Sequence, residues 1–251
     1  EISKVDASTS VCMSVNNSLV CYGLQEFGSE EQKQQYLVPL AQGKKDGQLY
    51  IGAFMLSEPE AGSDATSQRT TAEDKGDYYL LNGTKNWITN GGNASVYLVI
   101  AQTDPAKGSR GINCLIVEKN WPGVVVAAKE NKMGIRSSDT HSISFTDVKV
   151  PKENLIKEPG FGFSFAMKTL DGGRIGIAAQ ALGIAAGACP QHRDRIRPHG
   201  WRRGGHRGQS TAGAGWQRFR LAQPALRSCR QTERPRGMVL GTGPGWWDTS
   251  P

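Results

Sequence analysis

The spacing of apolar residues divides the chain into four stretches. Val5, Val11, Val15, Leu19 and Val20 recur near helical spacing among serines, which predicts a helix from Glu1 to about Tyr22 packed on one side. Gly28 stops that segment, and Ser29 with Gln32 three residues on forms a capping box for a second helix through about Ala41. Tyr36, Leu37 and Leu40 would face inward from it. From Gln48 the period shortens to β-like runs between turn signals: YIGAFML, DYYLLNG, ASVYLVIAQT, GINCLIVEK, GVVVAA and HSISFTDVKV. Alternation in HSISFTDVKV predicts a strand with one buried face, and the unbroken VYLVIA predicts one buried on both. Together these runs predict an antiparallel β unit that Pro151 closes.

After Gly160 and Gly162 a long small-residue helix is predicted from about Phe163 to Ala188. Gly172, Gly173, Gly176 and Gly183 each weaken it, so its stability must come from close packing, for which the sequence shows no obvious neighbours. From Cys189 onward no period persists. Ten Gly, six Pro and four of the six Trp fall in these 63 residues, and arginine replaces lysine entirely.

Charge follows the same division. Residues 1–188 hold 14 Lys and 4 Arg against 20 acids, net −2, whereas residues 189–251 hold 12 Arg and 3 acids, net +9. The whole-chain +7 is therefore a property of the tail, and it gives the body no reason to bind nucleic acid. Arg and Trp interleave at Trp201-Arg202-Arg203 and Trp216-Gln217-Arg218-Phe219-Arg220, a mixture able to stack on single-stranded bases and contact phosphates. Arg, Gly and Pro also accumulate when GC-rich DNA is read out of frame, and that simpler explanation is preferred to a nucleic-acid partner. Composition predicts poor order there. Cys12, Cys21, Cys114, Cys189 and Cys229 form no CxxC pair, which suggests a reducing intracellular compartment and neither a zinc site nor a disulfide framework. The run Ile175 to Ala188 is too short to span a bilayer, and the chain opens inside a helix, which reads as a truncated N-terminus.

The richest chemistry lies in Phe54 to Ala65, FMLSEPEAGSDA. Ser57 and Ser63 supply hydroxyls, Gly62 allows a ring or phosphate to approach the backbone, Pro59 fixes the chain, and Glu58 can cap nearby amides while Glu60 faces water. By residue type alone a Ser/Gly-rich surface turn between two strands is the better reading. The order of motifs decides otherwise. LSEPEAGSD followed by LNGTKNWITNG resembles the two flavin-binding segments of the acyl-CoA dehydrogenases. FGSEEQKQQYLVPLAQG, MGIRSSDTHSISFTDVKVPKENLI and KTLDGGRIGIAAQALGIA extend the resemblance over residues 1–188, nearest the short-chain, butyryl type. Met55 departs from it, since many members carry a small residue there.

The resemblance implies an α+β multidomain fold: residues 1–47 a remnant of an N-terminal helical domain, 48–157 a middle antiparallel β domain, 158–188 the start of a C-terminal helical bundle, and 189–251 an unrelated tail. It implies FAD as cofactor, with Phe54, Leu56, Ser57, Gly62 and Ser63 along the flavin and pyrophosphate. Trp87, Ile88 and Thr89 form the second wall, Trp87 packing on the isoalloxazine and Thr89 near N5. The CoA moiety of a short-chain acyl-CoA falls on Ser63, Ser109 and Asp171 to Arg174, with Lys107 and Arg110 as supplementary charge. Electron-transferring flavoprotein as acceptor, a homotetramer, and a bacterial cytoplasmic or mitochondrial matrix location follow from the same likeness.

The catalytic base is the gap. Isovaleryl-type members carry a glutamate immediately before the arginine of the segment that reads DGGR here, and that position is Gly173. Short-chain members place it in a YEGTS-like segment of the C-terminal bundle, and residues 189–251 contain neither that segment nor the family's QILGG-like loop. The sequence thus predicts no catalytic residue, weak flavin binding and no turnover. Glu58 and Glu60 read as structural, His141 as a strand residue, and the alternative is a non-catalytic flavin or acyl-CoA-binding module.

Overall fold

Asp6 divides the first predicted helix. In the computed structural model, which describes residues 1–195, α1 (Ile2–Val5) ends where Asp6 turns to extended backbone. The Asp6 carboxylate accepts from the Ser8 and Thr9 amides to open α2 (Ala7–Ser14). An acid that caps the next helix competes with continuation of the previous one. Val5, assigned inward by spacing, lies at this break and is 91% exposed. A π-type turn (Val15–Cys21) and α3 (Tyr22–Phe27) then carry the helix past Tyr22 to Gly28.

The second helical segment follows the sequence closely. Ser29 Oγ accepts from the Gln32 amide, and Gln32 Oε1 accepts from the Ser29 amide. This capping box starts α4 (Glu30–Gln32), which continues through Lys33–Leu37 into α5 (Val38–Gln42). Tyr36 and Leu40 are buried.

A short hairpin of β1 (Lys44–Lys45) and β2 (Gln48–Leu49) leads into β3 (Gly52–Met55), β4 (Thr71–Asp74), β5 (Tyr78–Thr89), β6 (Val96–Gln102), β7 (Ile112–Glu118), β8 (Val124–Lys129) and β9 (Thr140–Pro151). The main sheet runs β3-β6-β4-β5-β9-β8, with β7 on β6. Most neighbours are antiparallel as expected, but β3 pairs with β6 in parallel, Gly52 to Val96 through Met55 to Val99. The sheet is therefore mixed.

Strand β6 is buried along its whole length and divides two cores. Tyr97, Val99 and Ala101 join Leu81, Ile143, Phe145 and Val148 on the sheet side. Val96, Leu98 and Ile100 join Val20, Leu24, Tyr36 and Phe165 on the helical side. One strand thus welds helices and sheet together, and the described residues lie in a single unit.

The final helix, α6 (Gly162–Arg195), continues past Ala188, where the sequence had placed a boundary. Elongating a formed helix costs little, so a change of composition alone does not end one. The helix also finds neighbours the sequence did not reveal: α1, α2 and the turn after them pack along its glycine face. A Cβ at Gly183 would lie 2.5 Å from Ser3 Cβ, and one at Gly187 would lie 2.3 Å from the Lys4 carbonyl oxygen. The glycines that weaken α6 locally are what permit this approach. Ile175, Ile177, Leu182 and Ile184 lie exposed elsewhere along the helix. Gly187→Leu should lever α1 off α6 at a cost of about 1–3 kcal/mol; limited proteolysis would show earlier cleavage near Lys4, and an unchanged pattern would contradict the packing.

Among the described residues no helix is long and apolar enough to cross a membrane. The Arg/Trp stretches of the tail lie outside the described residues.

Candidate cofactor site

The loop that leaves β3 and the end of β5 are brought side by side. The Asn86 amide donates to the Ser57 carbonyl at 2.9 Å, which joins the LSEPEAGSD and NWITNG segments. Glu58 and Ala61 exchange backbone hydrogen bonds, and Asp64 accepts from the Thr66 amide, so the loop folds on itself before returning to β4. Gly62 and Ser63 face solvent at its tip, and a Cβ at Gly62 would meet nothing within 4 Å. Ser57 and Leu56 are half-buried.

Trp87 is the unusual residue opposite. Its φ is +61°, left-handed backbone that bulky side chains rarely adopt, and the residue is 62% exposed. The conformation falls at the register shift between Lys85 and Ile88 in the β5–β9 pair. The bulge turns a large aromatic ring out of the sheet, where it contributes little to the core. Thr89 follows, half-buried and paired with Thr140.

Two predicted wall residues point elsewhere. Ile88 is in the sheet-side core, and the Phe54 ring stacks on Phe165 of α6 with centroids 6.4 Å apart. Only their backbone can reach a ligand on the outer surface.

Of the residues assigned to CoA, Ser63 lies at the loop tip and the others fall elsewhere. Ser109 lies in the turn Pro105–Gly111, which with Asp74, Tyr79, Lys107, Arg110 and Asn113 borders a cavity of about 450 Å³. Asp171 and Arg174 form an exposed ion pair at 2.5 Å on α6. Arg174 and Gly173 border an apolar cleft of about 280 Å³ with Val15, Leu19, Leu170 and Ile177. A Cβ at Gly173 would lie 2.8 Å from Leu19 Cδ2, so this position is closely packed without a side chain.

Beneath the loop lies a buried polar group that the sequence reading passed over. Lys85 is fully buried, and its Nζ donates to Glu58 Oε1 and Gln68 Oε1, both at 2.6 Å, and to the Leu56 carbonyl at 3.1 Å. Burial pulls the ammonium down to about 8, although Glu58 opposes the shift. Burial pushes the Glu58 carboxyl up, but Lys85 and the Arg69 amide outweigh it and leave the carboxyl below its usual range. The only available signal was parity, since Lys85 shares the inward register of Tyr79 and Leu81 on β5.

His141 occupies β9, as its strand pattern suggested. Its Nδ1 meets the Ala127 carbonyl and its Nε2 meets Asp139 Oδ1, each at 2.7 Å. Asp139 Oδ2 accepts from the Gly92 and Asn93 amides and fixes the turn that follows Thr89.

A projecting aromatic face, hydroxyls at Ser57 and Thr89, and an open glycine-serine tip fit a flat ring carrying a phosphate-bearing arm. Residues 1–44 match the acyl-CoA dehydrogenase N-terminal domain, and residues 53–148 match the acyl-CoA dehydrogenase middle domain. The short-chain specific acyl-CoA dehydrogenase of Clostridium acetobutylicum is 52% identical over 188 residues, covering 75% of this chain and 48% of that protein. The mitochondrial short-chain enzyme of Mus musculus is 52% identical over 185 residues, covering 74% and 44%. Butyryl-CoA dehydrogenase from Megasphaera elsdenii superposes with a TM-score of 0.77 at 42% identity, covering 92% of this chain and 57% of that one. A chain from the structure of the electron transferring flavoprotein of Acidaminococcus fermentans gives 0.75 at 44%, covering 91% and 56%. The chain spans about half the length of the curated relatives it matches. With both domain matches falling on the helices and sheet that build the loop site, the chain belongs to the acyl-CoA dehydrogenase family.

Proposed function

We propose that this chain carries the flavin-binding part of an FAD-dependent acyl-CoA dehydrogenase acting on short-chain acyl-CoA thioesters and passing electrons to electron-transferring flavoprotein. The observation that carries the reading is the Asn86–Ser57 hydrogen bond, which joins the start of the loop to the strand segment that carries the exposed Trp87. FAD would accept the substrate's β hydrogen as hydride. Trp87 would pack on the ring system, the Ser57 hydroxyl and loop amides would bind its pyrimidine edge, and Gly62 and Ser63 would pass the pyrophosphate. Phe54, Leu56 and Ile88 would contribute through backbone and packing. Thr89 would donate a hydrogen bond near the position that receives the hydride.

For the substrate, Ser63, Ser109, Asp171 and Arg174 are the assigned contacts, and the apolar cleft at Gly173 and Leu19 has the character of an acyl pocket. Similarity to the Megasphaera and Clostridium enzymes supports the short-chain assignment, and the Acidaminococcus likeness supports the electron acceptor. A homotetramer belongs to the same reading. Neither a base nor a QILGG-like loop is assigned within the 251 residues, so the chain is expected not to turn over for want of the first and to bind flavin weakly for want of the second.

Titration of the purified chain with FAD, followed by quenching of flavin fluorescence, tests the cofactor site. Trp87→Gly keeps the left-handed backbone while removing the ring, and should weaken binding about tenfold, the worth of roughly one stacking interaction. Equal affinity for wild type and variant would remove Trp87 from the site. The second reading, a module that binds flavin or acyl-CoA without catalysis, is favoured by the packed Gly173 and would show binding of both ligands without reduction.

A further inference from the structure

We infer that Lys85 is the positioning residue of the cofactor loop, a buried latch that holds residues 56–70 against the strand carrying Trp87. The inference rests on the flavin reading above. Its physical content is a network that closes the loop at both ends from below.

At the near end, the Leu56 carbonyl accepts from both Lys85 Nζ and Gln68 Nε2, each at 3.1 Å. At the far end, Gln68 Nε2 also donates to the Ala65 carbonyl, and Glu58 Oε2 accepts from the Arg69 amide at 2.6 Å and the Thr70 amide at 3.2 Å. Lys85 joins the two through Glu58 Oε1 and Gln68 Oε1. An ammonium has three protons to donate, and all three are engaged. Few core arrangements demand so much of one side chain.

The placement gives the network a purpose beyond stability. Lys85 lies two residues before Trp87 on β5, and its neighbour Asn86 donates to the Ser57 carbonyl. One short segment of strand therefore presents the aromatic wall on its outer side and, on its inner side, grips the start and the end of the opposing loop. Gly62 and Ser63 carry no comparable restraint at the tip, so the spacing between tip and ring is inherited from the latch. A buried ion pair is weak evidence for net stability, since hydrophobic replacements are often as good. Fixing one geometry of a binding loop is a better account of why a lysine occupies an inward position.

The test measures FAD affinity and amide exchange on Lys85→Met and Gln68→Leu in the full chain. Lys85→Met should raise Kd for FAD at least about tenfold and accelerate exchange at Arg69 and Thr70 beyond the common acceleration in β6 and β7 that reports the lost global stability. Gln68→Leu, which buries no new charge, should shift both readouts in the same direction by a smaller factor. A folded Lys85→Met variant with wild-type Kd and loop exchange would overturn the inference. If that variant does not fold, Gln68→Leu decides by the same two readouts. A wild-type chain that binds no FAD would overturn the flavin reading, and the latch would then stand or fall on loop exchange alone.

Discussion

Replacing Lys85 by Met should lower the unfolding free energy by about 3–5 kcal/mol near neutral pH, with the loss shrinking as the solution is acidified. The side chains of Lys85 and Glu58 are 0% and 2% exposed, so neither charge is screened by solvent. Removing the ammonium leaves a buried carboxylate with two amides but no counter-charge. Its pKa should then rise, because burial is the largest influence on it and already pushes it up, while Lys85 was the main opposing one. A carboxyl raised in the folded state binds a proton that the unfolded chain has released, so the variant gains stability as pH falls from neutral toward the ordinary carboxylate range.

The wild type behaves in the opposite sense. Glu58 is held below its usual value, so its contribution is fully present above that value and is lost as pH falls through the folded pKa. Urea unfolding at about pH 7 and about pH 5 separates the two, because the variant gains stability over that interval while the wild-type Glu58 contribution, lost only below the usual carboxylate value, stays constant. Adding Glu58→Gln to Lys85→Met removes the charge and keeps an acceptor for the Arg69 amide. That double variant should recover part of the stability and lose the acid dependence. A Lys85→Met protein as stable as wild type, or one without a pH slope, would mean that the site relaxes and admits water.

What could be read from the sequence was whatever local chemistry decides. The Ser29–Gln32 box is self-contained, and it forms as written. The unbroken VYLVIA run states that both faces of β6 are covered, and both are. What escaped required knowledge of partners distant in sequence. The glycines of α6 weaken a helix in isolation, and only the arrival of Ser3 and Lys4 shows why they are there. Thr71–Asp74 is a strand because β5 pairs with it; three of its four residues are exposed, so no hydrophobic period marks it. The parallel β3–β6 pair joins segments separated by the whole loop and β4–β5. At the site, the open residues Gly62, Ser63 and Trp87 were visible because motif order names them, whereas Lys85 was hidden inside NGTKNWITNG as one more polar residue. The sequence assigned Glu58 to amide capping, which it does, but not to the ion pair that makes its burial tolerable.

With FAD bound, the 251-residue chain should reduce it with butyryl-CoA at least about 10²–10⁴-fold more slowly than a complete short-chain relative, the range a positioned general base contributes. The acids within reach of the loop are committed. Glu58 is buried against Lys85 and the Arg69 and Thr70 amides, and Glu60 is exposed beside Arg69 at 3.4 Å. On α6, Asp171 is tied to Arg174, and the position that carries a glutamate in isovaleryl-type members is Gly173, packed against Leu19. A glutamate there would first have to displace the leucine into the neighbouring cleft. The measurement is anaerobic mixing of FAD-loaded chain with butyryl-CoA, following the flavin absorbance. Ligand binding without bleaching is the expected result, since the loop and the Trp87 wall do not depend on a base. Bleaching at the rate of a complete relative would overturn it, and would place a working base among these 251 residues at a position that neither the flavin loop nor Gly173 supplies.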